Sequence, residues 1–297
     1  MAFLQPDILP AMAEAMHRQL AAAPGARLKR ATLRDSVVPS GLRRAGNEKL
    51  FNDTLRELLG IGALEADDDD IRLPDVADAR ERGAMAALVR AQAMATEHEA
   101  DLWERDAFGS LLLTGARDLV RALAWFLNLD VLTGPFDFLD TTPSLTNLQD
   151  LQLGERPIFN IERWRPFVRW ARYLGFVSDY SLYGGSGSST AAVFPDPNRA
   201  IAAVLPKIID GGWAPLESVI PRLAEKLPVL DGGVYRRAII ERGAPEAQAD
   251  CSPTLTLALR ALAARGVIEL QEGAGDAPKL TLSDNVGAYH AVRLVSS

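Results

Sequence analysis

Val168-Arg169-Trp170-Ala171-Arg172-Tyr173-Leu174-Gly175-Phe176-Val177 reads as the end of a helix running into a strand, and its skeleton occurs twice more in the chain. An apolar residue and an arginine are followed, six positions after the arginine, by a glycine and two apolar residues. Leu55-Arg56 leads in this way to Gly62-Ala63-Leu64, and Leu259-Arg260 to Gly266-Val267-Ile268. Glycine lacks the Cβ that clashes in left-handed backbone, so it closes a helix where other residues are strained. Each copy follows a segment with apolar residues at helical spacing. Each precedes a turn-rich run that closes on a short apolar strand and an acidic turn: Ile71-Arg72-Leu73-Pro74-Asp75, Ala192-Val193-Phe194-Pro195-Asp196 and Leu280-Thr281-Leu282-Ser283-Asp284. Helix, cap and β-hairpin in that order predict a winged helix.

The three arginines are 113 and 91 residues apart, too far and too unequally for a solenoid. The expected fold is therefore α+β and mostly α, with tandem winged-helix units, each of three helices and a β-hairpin, joined by a helical connector. The boundaries fall at 1–78 for the first unit, 79–110 for the connector, 111–197 for the second unit and 198–297 for the third. Helical periodicity places the first unit's helices at about 7–22, 29–37 and 47–59, with a hairpin tip at Glu65 to Asp70. Residues 76–108 are rich in alanine and interrupted only by Gly83, which predicts a long helix. The second unit uses 118–129, 144–151 and 161–174. The third uses 199–209 and 215–226, an insert containing Tyr235-Arg236-Arg237, and a helix from Ser252-Pro253 to Arg265, with serine as cap and proline at the first position.

A composition 48% hydrophobic and 24% charged over 297 residues is that of a globular chain with room for two or three domains. One cysteine, Cys251, excludes an intrachain disulfide and a cysteine-rich zinc site, and suits a reducing cytosol, so a cytoplasmic location is expected. The N-terminus shows no secretory signal pattern, and the most apolar stretch, 111–132, is broken by Arg117, Asp118, Arg121 and Asn128, so no membrane crossing is expected. The net charge of −7 argues against indiscriminate coating of nucleic acid. Its distribution is uneven: residues 1–62 carry +3, 63–110 carry −8 and 161–199 carry +2.

Positive charge is best organised in 161–174. Trp164, Phe167, Ala171 and Leu174 fall on one helical face, while Arg165, Arg169 and Arg172 fall at i, i+4 and i+7 on another. Such a stripe aligns with phosphates or sets guanidinium groups against guanine edges in a major groove. A surface helix whose arginines pair with acids elsewhere, such as those of 97–106, fits the same spacing. Arg43, Arg44, Lys49 and Arg56 add cationic candidates in the first unit, and Thr254, Thr256 and Arg260 are candidate contacts in the third, which is nearly neutral and as well suited to protein as to DNA. The glycine- and serine-rich run 180–190 lacks a phosphate-loop lysine and reads as a hairpin tip.

Chemistry-bearing residues are sparse. His17, His98 and His290 form no recognisable pair, and the phosphate-loop, dinucleotide and hydrolase-elbow patterns are absent. Asp67 to Asp70 and Glu97, Glu99 and Asp101 read as solvated surface. No catalytic residue, metal ligand or cofactor is expected.

The stretch Trp164-Arg165-Pro166-Phe167-Val168-Arg169-Trp170-Ala171-Arg172-Tyr173-Leu174-Gly175-Phe176, with the arrangement around it over roughly the first two thirds of the chain, resembles the DpdG-type proteins of bacterial clusters that insert 7-deazaguanine into DNA and restrict unmodified DNA. The resemblance implies a cytosolic accessory subunit of a phage-defence system, working beside ATPase or helicase partners, and carries over no catalytic residues. The leading expectation is a non-catalytic subunit that binds double-stranded DNA. The alternatives are an adaptor whose winged helices dock an ATPase or helicase, a transcription regulator and, from a different class, a metal-dependent nuclease.

Overall fold

The computed structural model describes residues 2–42, 45–75, 78–95, 102–137, 144–154, 156–158, 160–179, 192–273, 280–281 and 287–295. The chain is mixed α+β and mostly helical, with 52% helix against 12% strand.

One order of elements recurs three times. In the first segment, α1 (Pro10–Ala22), β1 (Arg27–Lys29), α2 (Arg30–Val37) and α3 (Ala45–Gly60) precede the hairpin β2 (Glu65–Asp67) and β3 (Asp70–Arg72). The sheet order is β1-β3-β2, all antiparallel, with Ile71 between Leu28 and Ala66. After α4 (Ala84–Ala93), the second segment runs α5 (Arg117–Phe126), α6 (Leu145–Leu153), α7 (Ile161–Leu174), β4 (Val177–Asp179) and β5 (Val193–Pro195). Here β5 pairs with β4 and is bridged through Val193 to Phe136, which lies between α5 and α6. The third segment runs α8 (Asn198–Val204), β6 (Ala214–Pro215), α9 (Leu216–Lys226), α10 (Val234–Arg242), α11 (Pro253–Ala264), β7 (Ile268–Glu272), β8 (Leu280–Thr281) and β9 (Ala288–Leu294), and β9 lies between β6 and β7. In every case the last strand is central, flanked by backbone from before the second helix and by the strand after the segment's last helix.

The glycines that the sequence singles out end their helices in left-handed backbone, at φ +74 for Gly62, +88 for Gly175 and +69 for Gly266. The Ser252 cap also forms as expected: its hydroxyl accepts the Leu255 amide at 3.2 Å and donates to buried Asp231 at 2.9 Å.

Other expectations change. Among the described residues of 76–108, where a long helix is predicted, helix is confined to Ala84–Ala93: Gly83 precedes it at φ +82 and its buried residues, Met85, Leu88, Val89, Arg90 and Ala93, lie within that span. Beyond Met94 the sequence offers no continuing apolar stripe to bury. The insert around Tyr235 is itself a helix, α10. His98 and the acids Glu97, Glu99 and Asp101 lie outside the described residues, as do Arg43 and Arg44 and the glycine- and serine-rich run 180–190.

Buried apolar side chains from Phe3 to Val292, drawn from all three segments, form one contiguous cluster. Helix α4 contributes by packing against α1, α5 and α7. The N-terminal segment is fixed to the second segment by Asp118, at the start of α5, whose buried carboxylate accepts the amides of Phe3 and Leu4 at 3.1 and 2.8 Å. Among the described residues no helix is long and apolar enough to cross a membrane.

Candidate nucleic-acid interface

Helix α7 occupies the span that periodicity predicts, and its ends are fixed by side-chain and backbone bonds. At the start, Asn160 accepts the Arg163 amide at 3.0 Å. At the end, Gly175 donates to the last carbonyls and the Phe176 amide returns to Ala171 at 2.8 Å, closing the helix. Gly175 is required a second time by the close approach of α8: its own carbonyl accepts the Ala200 amide at 3.1 Å.

Three sides of α7 are buried. Trp164 and Phe167 stack with each other and each meets Phe126 of α5 edge-on, at 5.8 and 5.3 Å between ring centres. Trp170 turns the other way, meets Phe3 edge-on at 5.0 Å and donates its indole N–H to the carbonyl of Ile8 at 3.1 Å. The Tyr173 hydroxyl donates to Glu14 of α1 at 2.9 Å, and burial followed by that bond raises its pKa well above the ordinary value. What remains open is one strip carrying Glu162, Arg165 and Arg169, with Arg172 half-buried at its end.

The arginines of this helix have different environments. Arg163 turns inward to the buried Asp118 carboxylate at 3.4 Å. Arg165 and Arg169 make no hydrogen bond or ion pair among the described residues. From Arg165 to Arg172 the helix rises about 10 Å, roughly three base-pair rises along the axis of a DNA duplex. At the C-terminal end two further cations join. Arg90 of α4 is buried and donates to the Leu174 carbonyl at 2.8 Å, and Arg199 of α8, exposed, reaches the Arg172 carbonyl at 3.5 Å. Burial, and then the charge of Arg199, lowers the Arg90 pKa. Sequence spacing gives no sign of Arg199, which is brought to the strip by the Gly175–Ala200 contact.

The other candidates are placed differently. Lys49 of α3 is held by Asp7 and, at 3.3 Å, by Asp53, while Arg56 pairs with Asp53 at 2.5 Å and Glu57 at 3.8 Å. Their charge is balanced within the first segment. Thr254 and Thr256 are buried, a correction to their candidacy: the Thr254 hydroxyl donates to the Leu129 carbonyl at 3.2 Å and is unavailable as a contact. On α11 the exposed positions include Leu257, 46% open, and Arg260.

His17 is buried with its ring bonded to the Ala79 carbonyl at 2.8 Å, and half-buried His290 meets the Glu272 carbonyl at 3.1 Å. Cys251 is buried, and desolvation, with Asp231 and Asp250 reinforcing it, pushes its thiol up to about 12. Among the described residues no group of three or more histidine, cysteine, aspartate or glutamate side chains is placed to hold a metal ion. The arrangement with chemical capability is thus the cationic strip, suited to a polyanion.

No curated protein and no solved structure matches the chain. Residues 1–276 match the family model described as DpdG-like, which covers all of α7, its arginine strip and the three helix-ending glycines, and the chain belongs to the DpdG-like family.

Proposed function

We propose that this protein is a non-catalytic, DNA-contacting subunit of a bacterial DNA-modification and defence system, and that it binds duplex DNA through α7. Membership in the DpdG-like family supports the association with the defence system. The recurrence of helices followed by a hairpin whose last strand is central and flanked on its other side by backbone from before the second helix supports treating each segment as a winged-helix unit, in which the helix before the hairpin, the third in the first two segments, is the one that enters a groove. The observation that carries the duplex reading is that Arg165 and Arg169 lie exposed on such a third helix without an acidic partner among the described residues. Arg172 and Arg199 extend the strip toward the backbone of an adjacent strand.

The helices that precede the hairpins of the first and third units, α3 and α11, support a second role for those units. The described cations of α3 are balanced by Asp7, Asp53 and Glu57, and α11 presents Leu257, so these faces suit docking of a protein such as an ATPase or helicase of the same system.

The test is a fluorescence-anisotropy salt titration of the full chain with a labelled random duplex. Replacing Arg165, Arg169 and Arg172 with alanine is expected to weaken binding and reduce the slope of log K against log salt by roughly 3, close to one unit per lost phosphate contact. An affinity and slope equal to wild type would sink the assignment of α7.

A further inference from the structure

Two guanidinium groups from other helices close the C-terminal end of α7, and they do so differently. Arg90 of α4 is 7% exposed and donates to the Leu174 carbonyl at 2.8 Å. Arg199 of α8 is exposed and reaches the Arg172 carbonyl only at 3.5 Å, and that carbonyl already accepts the Gly175 amide at 3.1 Å. The first bond is short and made in the interior. The second is long, shared and open to water, so little is lost when it is given up. The backbone beneath Arg199 stays fixed, because the next residue, Ala200, donates its amide to the Gly175 carbonyl at 3.1 Å. The Arg199 guanidinium can therefore turn to a ligand while its Cα remains at the helix end.

The charge at this end is unbalanced. Neither Arg90 nor Arg199 makes an ion pair with a carboxylate among the described residues. Arg199 is close enough for its charge to oppose that of Arg90. A helix C-terminus carries about half a negative charge, which one cation offsets and two exceed, so an end that ordinarily repels phosphate is net positive here. The carboxylate of the strip, Glu162, stands in the first turn, about 18 Å away along the axis. A buried guanidinium without a counter-charge is costly to keep, and Arg90 does two things that an apolar residue would not. It occupies the Leu174 carbonyl, which denies Arg199 that inward bond, and its like charge keeps the Arg199 guanidinium turned to solvent.

We propose that the C-terminal end of α7 is a phosphate seat: Arg199 takes one phosphodiester group of the duplex, and Arg90 is a positioning residue that touches no DNA and holds Arg199 outward. The inference rests on the reading of α7 as the duplex-binding helix. It adds the buried residue behind the strip and the point at which the helix is fixed along the duplex, since phosphate contacts set register.

The experiment is the duplex salt titration of the full chain on Arg199→Ala, Arg90→Gln, Arg90→Lys and the Arg90→Gln/Arg199→Ala pair, with unfolding midpoints measured alongside. Arg199→Ala is expected to reduce the slope of log K against log salt by about one and to weaken binding roughly five- to tenfold near 0.1 M salt. Arg90→Gln should weaken binding at least roughly threefold, and should weaken it no further once Arg199 is alanine. Arg90→Lys keeps the charge and should bind within roughly twofold of wild type. A purely structural role for Arg90 would lower the midpoint and weaken binding equally in both backgrounds, and would overturn its assignment; if Arg90→Gln does not fold, the Arg90→Lys affinity and the Arg199→Ala slope decide. Loss of binding on replacing Arg165 and Arg169, with a wild-type slope for Arg199→Ala, would overturn the seat and leave the duplex reading standing. A wild type that binds no duplex but is stabilised by inorganic phosphate over chloride at equal ionic strength would overturn both, in favour of a free phosphate ligand.

Discussion

The indole N–H of Trp170 donates to the carbonyl oxygen of Ile8 at 3.1 Å, across 162 residues of sequence. Because Trp170 sits on the flank of α7 beside the arginine strip, its bond ties the helix that carries the strip to the N-terminal segment. Trp170→Phe retains most of the apolar contact with Phe3 but leaves the Ile8 carbonyl unpaired in the interior, at a cost of about 1–3 kcal/mol. Trp170→Ala also leaves a cavity, and about 3–5 kcal/mol is expected. Urea denaturation should show the midpoint falling in that order at constant slope; a Phe variant as stable as wild type would show that the bond contributes nothing.

Gly175 and Gly154 separate two costs of a side chain. At Gly154, φ is +61 and an added Cβ meets nothing within 4 Å, so Gly154→Ala should cost only the backbone strain, about 1–2 kcal/mol. At Gly175, φ is +88 and the Cβ would lie 2.8 Å from the Ala200 amide nitrogen and 2.9 Å from the Arg199 Cβ. Gly175→Ala should therefore be the more damaging by at least about 1 kcal/mol. Equal losses in denaturation experiments would mean that α8 yields to the methyl group.

Glu57 should make stability depend on pH in an unusual direction for a carboxylate. Burial raises its pKa above the ordinary 4.5, with Asp118 and Asp53 reinforcing the effect and Arg56 opposing it. The native state then holds the proton more tightly than the unfolded chain does. Its contribution to stability is present in acid and is lost as pH rises from the unfolded value through the raised native one. Relative to wild type, Glu57→Gln should gain stability as pH is raised from about 4 to 7. A stability difference that stays flat over that range would contradict the assignment.

Local signals in the sequence were sufficient for several elements. The span of α7 follows from its periodicity, and the three glycines from the apolar pairs behind them, because both depend on residues within one or two turns. The Ala-rich stretch around Met85 was misleading, since alanine favours helix over all of 76–108 whereas among the described residues there only the part that packs against α1, α5 and α7 is helical. Local propensity without a burial partner does not sustain a helix.

At the candidate interface, the exposure of Arg165 and Arg169 was legible as the side of the helix left over when its tryptophan and phenylalanine turn inward. Two features depend on contacts through space and left no such trace. Arg163 is one residue from Trp164 yet is drawn to Asp118, 45 positions away, and Arg199 joins the strip from another helix. Lys49 illustrates a mixed case: Asp53 is visible at i+4, but Asp7 becomes a neighbour only when the first helix is in place.

The single contiguous core, extending from Phe3 to Val292, predicts that the three segments unfold together. Three isolated cores would melt one after another, and a ligand held by one would protect that one alone. In a body that melts as a whole, occupancy of α7 is felt equally at the far sheet built on β9, because whatever binds the native state lowers the population of every unfolded segment together.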